Sequence, residues 1–189
     1  MILRGKKIGF ALTIGQLGDT RILKEIEKLM LQGAELLIIL FPEEKKEEEN
    51  IKTRLKNIFQ HLNIKKRDFD NKADRLDGPF LDLLVVIARS RRFLNILEKI
   101  VPENYGNLFP LVLVPAFEKE LSVSLNSLSL LIKNKGIYFV PFGPVNYKKN
   151  KNIITSLCSR IDLLPETCAA ALEGRHLKPT VWENHFFPE

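Results

Sequence analysis

Lys6-Lys7-Ile8-Gly9-Phe10-Ala11-Leu12-Thr13 is followed by Ile14-Gly15-Gln16-Leu17-Gly18-Asp19 and then by an amphipathic run over residues 20–32. The first segment has the character of a buried strand, and the second has the glycines of a turn. The third places Ile22, Leu23, Ile26, Leu29 and Met30 at a 3.6-residue period, which predicts a helix. Asp19 or Thr20 can cap that helix, and Gly33 stands at its end. Strand, turn and helix form the first half of a βαβ unit. The turn of such a unit lies at the carboxyl edge of the sheet, where the helix N-terminus can present N–H groups to a ligand. Thr13, Gly15, Gln16 and Gly18 are therefore candidate cofactor-binding positions. Gly15 and Gly18 complete neither a dinucleotide fingerprint nor a Walker motif, so spacing alone describes an ordinary βα turn.

Working outward, residues 34–41 carry the run Leu36-Leu37-Ile38-Ile39-Leu40-Phe41, ended by Pro42. Such a run predicts a strand covered on both faces. A long charged helix is expected over 43–62, and residues 63–79 are polar, with room for a short strand near Asp68 to Asp70. Apolar strands are expected at 81–88, 110–114 and 137–140, with helices at 90–101 and from Ser122 or Ser124 onward. Residues 141–147, stiffened by Pro141 and Pro144, read as a rigid loop. Residues 152–160 and 165–173 read as closing helices. This alternation predicts a three-layer α/β/α domain. Its sheet is doubly wound, Rossmann- or flavodoxin-like and mostly parallel, with five or six strands. The domain spans residues 1–175, and 176–189 form a tail bearing Trp182, Phe186 and Phe187.

The chain has 189 residues and a net charge of +6, with an isoelectric point near 9.3. Its charges are interspersed: Lys45-Lys46 sits among five glutamates, and Lys65-Lys66-Arg67 precedes Asp68 and Asp70. The aromatics do not interleave with the basic residues as a stacking platform would need, so no nucleic acid is expected. Cys158 and Cys168 are too few for a disulfide framework and read as reduced thiols in a cytoplasmic protein. His61, His176 and His185 have no metal-ligand spacing. No long apolar run marks the N-terminus, so neither a signal peptide nor a membrane span is expected.

Two stretches go beyond a generic α/β pattern. One is the opening strand with Ile26-Glu27-Lys28-Leu29 and Gly33-Ala34-Glu35. The other is Lys135-Gly136-Ile137-Tyr138-Phe139-Val140-Pro141-Phe142-Gly143 with Asp162-Leu163-Leu164-Pro165-Glu166-Thr167. With Asp82 and Val86-Ile87-Ala88, the sequence resembles the B subunits of dipicolinate synthase over nearly its whole length. These are a branch of the FMN-dependent flavoprotein superfamily, which also holds phosphopantothenoylcysteine decarboxylases and flavin prenyltransferases. The resemblance implies a doubly wound fold, a spore-forming source and pairing with a dipicolinate synthase A-type subunit. It implies a complex that oxidises dihydrodipicolinate to dipicolinate, with NAD(P) entering only through that partner. It also implies FMN as the superfamily's cofactor, and a homo- or hetero-oligomer.

The departures fall at the expected flavin site. The subunit family's Thr-Gly-Ser-His-Cys-Thr turn reads here as Thr13-Ile14-Gly15-Gln16-Leu17-Gly18. Its Pro-Leu-Thr-Gly-Asn-Ser stretch reads as Arg89-Ser90-Arg91-Arg92-Phe93-Leu94, and its Gly-Thr-Asn-Leu as Leu125-Asn126-Ser127-Leu128. Loss of small and hydroxylic residues argues against a held flavin phosphate. What carries over is Thr13 with Pro141, Phe142 and Gly143, and Ser90 is the hydroxyl left in the second stretch. Arg89, Arg91 and Arg92 are candidates for holding a dicarboxylate or phosphate. The plainer account is an exposed helix start, where a cation is unfavourable unless an anion offsets it. No Cys–His or Ser–His–Asp arrangement is evident, and no catalytic residue is assigned. A non-catalytic scaffold that binds a partner is the alternative function.

Overall fold

In the computed structural model, residues 3–13, 16, 19–41, 65–68, 81–88, 109–117, 128–129, 131–145 and 156–181 are described. The central strand is β1 (Lys7–Thr13). It pairs in parallel with β2 (Glu35–Phe41), from Lys7 opposite Glu35 to Thr13 opposite Phe41. Its other edge pairs in parallel with β4 (Leu83–Ala88), Ile8 lying opposite Leu83 and Ala11 opposite Val86. Beyond β2 lies β3 (Lys65–Asp68), and beyond β4 lies β5 (Leu111–Phe117), both parallel. Residues Leu111 to Leu113 of β5 pair with β6 (Ile137–Phe139), completing a parallel order β3-β2-β1-β4-β5-β6.

The last two strands differ from the expected pattern. β7 (Phe142–Val145) arises where a rigid loop was expected, and β8 (Ser156–Ser159) where the closing helix over 152–160 was expected. β8 runs antiparallel both to the upper end of β5, with Ala116 opposite Cys158, and to β7, with Gly143 opposite Cys158. Pairing on both edges overrides any helical preference of so short a segment, as tertiary context often does. Pro144 is tolerated in β7 because that strand is short and peripheral. The described sheet thus has eight strands, six parallel as expected and two added antiparallel.

Alternation along the strands builds two cores. Ile8, Phe10, Leu12, Val85, Ile87, Val112 and Val114 face α1 (Thr20–Leu31) and α2 (Leu164–Leu172). Ile22, Ile26 and Leu29 of α1 and Leu164, Cys168 and Ala171 of α2 cover them. Burying a side chain the size of Ile or Leu is worth roughly 1.5–3 kcal/mol. On the opposite face, Ala11, Ile39, Leu84, Val86, Leu113 and Phe139 pack with Phe109, Leu128 and Leu131. Helical residues therefore cover both faces, giving the three layers. α1 closes at Gly33, whose φ of 89° is open to glycine at little cost. The expected helices over 43–62 and 90–101, the residues around Ser122 and Ser124, and Trp182, Phe186 and Phe187 lie outside the described residues.

One buried group on α1 works against this packing. Glu25 is 3% exposed, and its Oε1 accepts the Lys28 ammonium at 2.7 Å. Its Oε2 has no hydrogen-bond partner among the described residues. A half-satisfied buried carboxylate is often less stabilising than an apolar side chain of similar volume. Glu25→Leu is therefore expected to raise the thermal midpoint by about 2–4 °C. A fall measured by calorimetry would contradict this reading of the α1 face.

Candidate functional site

The sheet order reverses direction between β1 and β4, since β2 and β3 are added on one side and β5 and β6 on the other. In open α/β sheets this switch point leaves a crevice at the carboxyl ends of the strands. A small cleft of about 70 Å³, partly open to solvent, lies there. Its apolar lining comes from Ile22, Ile87, Val114, Ala116 and Ile161. Its polar lining comes from Asp19, Arg21, Cys158 and Ser159. The Ser159 hydroxyl donates to the Pro115 carbonyl at 2.6 Å, which fixes β8 against the end of β5.

Two side chains tie β1 to β4 across the switch point. At the carboxyl edge, Gln16 is 2% exposed. Its Oε1 accepts the Thr13 N–H at 2.8 Å, and its Nε2 donates to the Ile87 carbonyl at 3.1 Å. At the amino edge, Asp82 Oδ2 accepts the Lys7 N–H at 2.8 Å and Oδ1 accepts the Lys6 ammonium at 3.0 Å. Partial burial pushes the Asp82 carboxyl up. The Lys7 N–H and the Lys6 ammonium outweigh that and hold it below the ordinary carboxylate value.

The start of α1 is already supplied with an anion. Asp19 caps the helix, its Oδ1 accepting the Arg21 N–H at 3.0 Å. The Arg21 guanidinium grips the same carboxylate, Nε–H to Oδ1 at 3.1 Å and Nη2–H to Oδ2 at 2.8 Å. The Asp19 side chain is 17% exposed while that of Arg21 is 72% exposed, so the carboxylate is turned inward. A flavin phosphate at this helix end would have to share the macrodipole with a negative charge already seated there. The described residues do not fit such a group at α1.

The sequence candidates distribute unevenly around this cleft. Thr13 ends β1 and its Oγ1 is buried without a hydrogen-bond partner among the described residues. Thr13 alternates with Leu12, which faces α1, so it falls on the opposite face of the sheet from the cleft lining. Gln16 is spent on the strand tie. Pro141, Phe142 and Gly143 are buried, one strand beyond β8. Phe142 donates its N–H to the Thr180 carbonyl and packs on Phe139 at 5.8 Å between ring centroids. Gly15, Gly18, Arg89, Ser90, Arg91 and Arg92 lie outside the described residues. His176 of the tail stacks on Tyr138 of its own domain at 4.8 Å. The lining from Cys158 and Ser159 was missed because residues 152–160 read as a helix, and Ile161 lies just beyond that reading. The β-branched run Ile153-Ile154-Thr155 just before β8 was the available signal for a strand.

Cys168, in α2, is fully buried, and burial with nearby Glu166 pushes its thiol well up, so it stays a neutral packing group. Among the described residues no cluster of His, Cys, Asp or Glu is placed to hold a metal ion. Among them, too, no helix is long and apolar enough to cross a membrane.

No protein-family model matches the chain. A curated relative, the B subunit of dipicolinate synthase from Bacillus subtilis, is 27% identical over 97% of this chain and 96% of its own length. The chain is similar to the B subunit of dipicolinate synthase. The crystal structure of the corresponding B subunit from Bacillus halodurans superposes with a TM-score of 0.70 at 23% identity, covering 97% of this chain and 99% of that one. A mutant PPC decarboxylase complexed with pantothenoylaminoethenethiol superposes at 0.54 with 11% identity, over 87% of this chain and 97% of that one. The chain thus shares the mostly parallel, Rossmann- or flavodoxin-like fold of these two structures.

Two measurements check the ties. Gln16→Leu strips the Thr13 N–H and the Ile87 carbonyl of their partner, and the expected loss is about 2 kcal/mol in urea unfolding. A loss indistinguishable from zero would contradict the tie. Because the folded Asp82 carboxyl lies below its unfolded value of about 4, its contribution is complete above that pH and is lost as pH falls through the folded value. Asp82→Asn is therefore less stable than wild type at pH 7, and the gap narrows below about pH 4. A gap that stays constant with pH would show that the charge is irrelevant.

Proposed function

We propose that this chain is a B-type subunit of a dipicolinate synthase, joined to an A-type subunit and working in sporulation. The observation that carries the reading is the nearly end-to-end match to the dipicolinate synthase B subunit of Bacillus subtilis. In the complex, dihydrodipicolinate gives up a hydride and a proton and becomes aromatic dipicolinate. The A-type subunit would hold the oxidised nicotinamide, which would supply the hydride acceptor. This chain's part is to shape and support the site rather than to supply an electron carrier. Its cleft at the switch point has an apolar floor and one tightly paired acid, Asp19.

A second reading, a scaffold descended from flavoproteins with no part in the chemistry, is favoured by the filled helix end at Asp19. Reconstitution separates the two. The A-type subunit is assayed for dipicolinate formation with NAD(P)⁺, alone and with this chain, and the mixture is sized by light scattering. The first reading expects a complex and turnover that needs both chains. Full turnover by the A-type subunit inside a stable complex points to the scaffold. No complex and no effect on turnover would overturn both.

A further inference from the structure

We propose that Asp19 is a specificity-determining residue: its carboxylate takes the anion position at the N-terminus of α1 and bars ligands that bear a phosphate from the cleft. This inference stands on the chain's own geometry and does not depend on the partner subunit.

The argument starts from the donors. A helix N-terminus binds phosphate because its first N–H groups have no intrahelical partner and the macrodipole is positive there. Here one of those donors, the Arg21 N–H, goes to Asp19 Oδ1. Among the described residues, a cation at the helix end, the Arg21 guanidinium, is bound through Nε and Nη2 to the same carboxylate. The carboxylate thus holds both a main-chain donor and the local positive charge that a phosphate would use.

Position matters as much as charge. Asp19 is part of the cleft wall, beside Ile22, Ile87 and Ile161. Its backbone is fixed as well: its N–H donates to the Gln16 carbonyl, and its carbonyl accepts the Leu23 N–H that opens the helix. Gln16 is itself pinned to Thr13 and Ile87. The carboxylate therefore cannot swing away without breaking the cap and the turn together. An incoming phosphate meets a seated carboxylate that already holds the main-chain donor and the guanidinium it would need. Ligands admitted to the cleft are those without a phosphate there.

The test uses the full chain with three probes: inorganic phosphate, FMN and riboflavin. Backbone amide shifts of Arg21 and Ile22 follow phosphate, with sodium chloride at matched ionic strength as control. Flavin fluorescence follows the other two. In wild type the amide shifts do not respond to phosphate beyond the control, and FMN binds no more tightly than riboflavin. Asp19→Ser keeps a capping hydroxyl and removes the charge. It is expected to gain a saturable phosphate response and about tenfold in affinity for FMN over wild type. Asp19→Asn, a near-isostere that also caps, is the second variant should the serine form lose its fold. Saturable phosphate binding by wild type would overturn the proposal. So would folded Asp19 variants that stay as unresponsive to phosphate as wild type.

Discussion

The parallel pairing of β1 with β4 is held by a side chain at each edge of the sheet, Gln16 at one end and Asp82 at the other. Sequence-distant strands that lie side by side at a switch point have no connecting loop to fix their register. Here the register rests on the ladder and on these two ties. Gln16 sets the height of the first turn against the end of β4. That height positions Asp19, and Asp19 sets where α1 begins. The cleft wall follows from the same chain of contacts, since Ile22 lies on the first turn of α1 and Ile87 accepts from Gln16.

The fold shared with the dipicolinate synthase B subunit and PPC decarboxylase is carried by apolar residues that alternate between two cores. Those residues tolerate exchange as long as volume and period are kept. The turn at the carboxyl edge is under no such constraint, and its polar groups can be redeployed. Here a glutamine that could have faced a ligand is turned inward to join two strands. An aspartate that caps a helix fills the place of an external anion.

Most of the framework was legible in the sequence because it depends on period and punctuation. The runs at Ile8 to Leu12, Leu36 to Ile39 and Leu83 to Ala88 are buried strands, and Asp19 and Gly33 bound α1 as their chemistry requires. The antiparallel pair of β7 and β8 was not legible, because each strand spans only four residues. Segments that short carry no period, and long-range pairing decides their structure. Gln16 was legible as a residue of the edge turn, but its direction was not: the same amide could face out to a ligand or across to Ile87. Only the position of β4 decides that, and β4 lies about seventy residues away in sequence.

If this chain works as a B-type subunit and Asp19 keeps phosphate from its first helix end, the working complex is expected to carry no flavin. The visible absorption spectrum of the complex of this chain with its A-type subunit, purified from the native host while active in forming dipicolinate, decides the matter. An active complex without flavin absorbance is the expected result. An active complex that retains stoichiometric FMN, released only on denaturation, would contradict it.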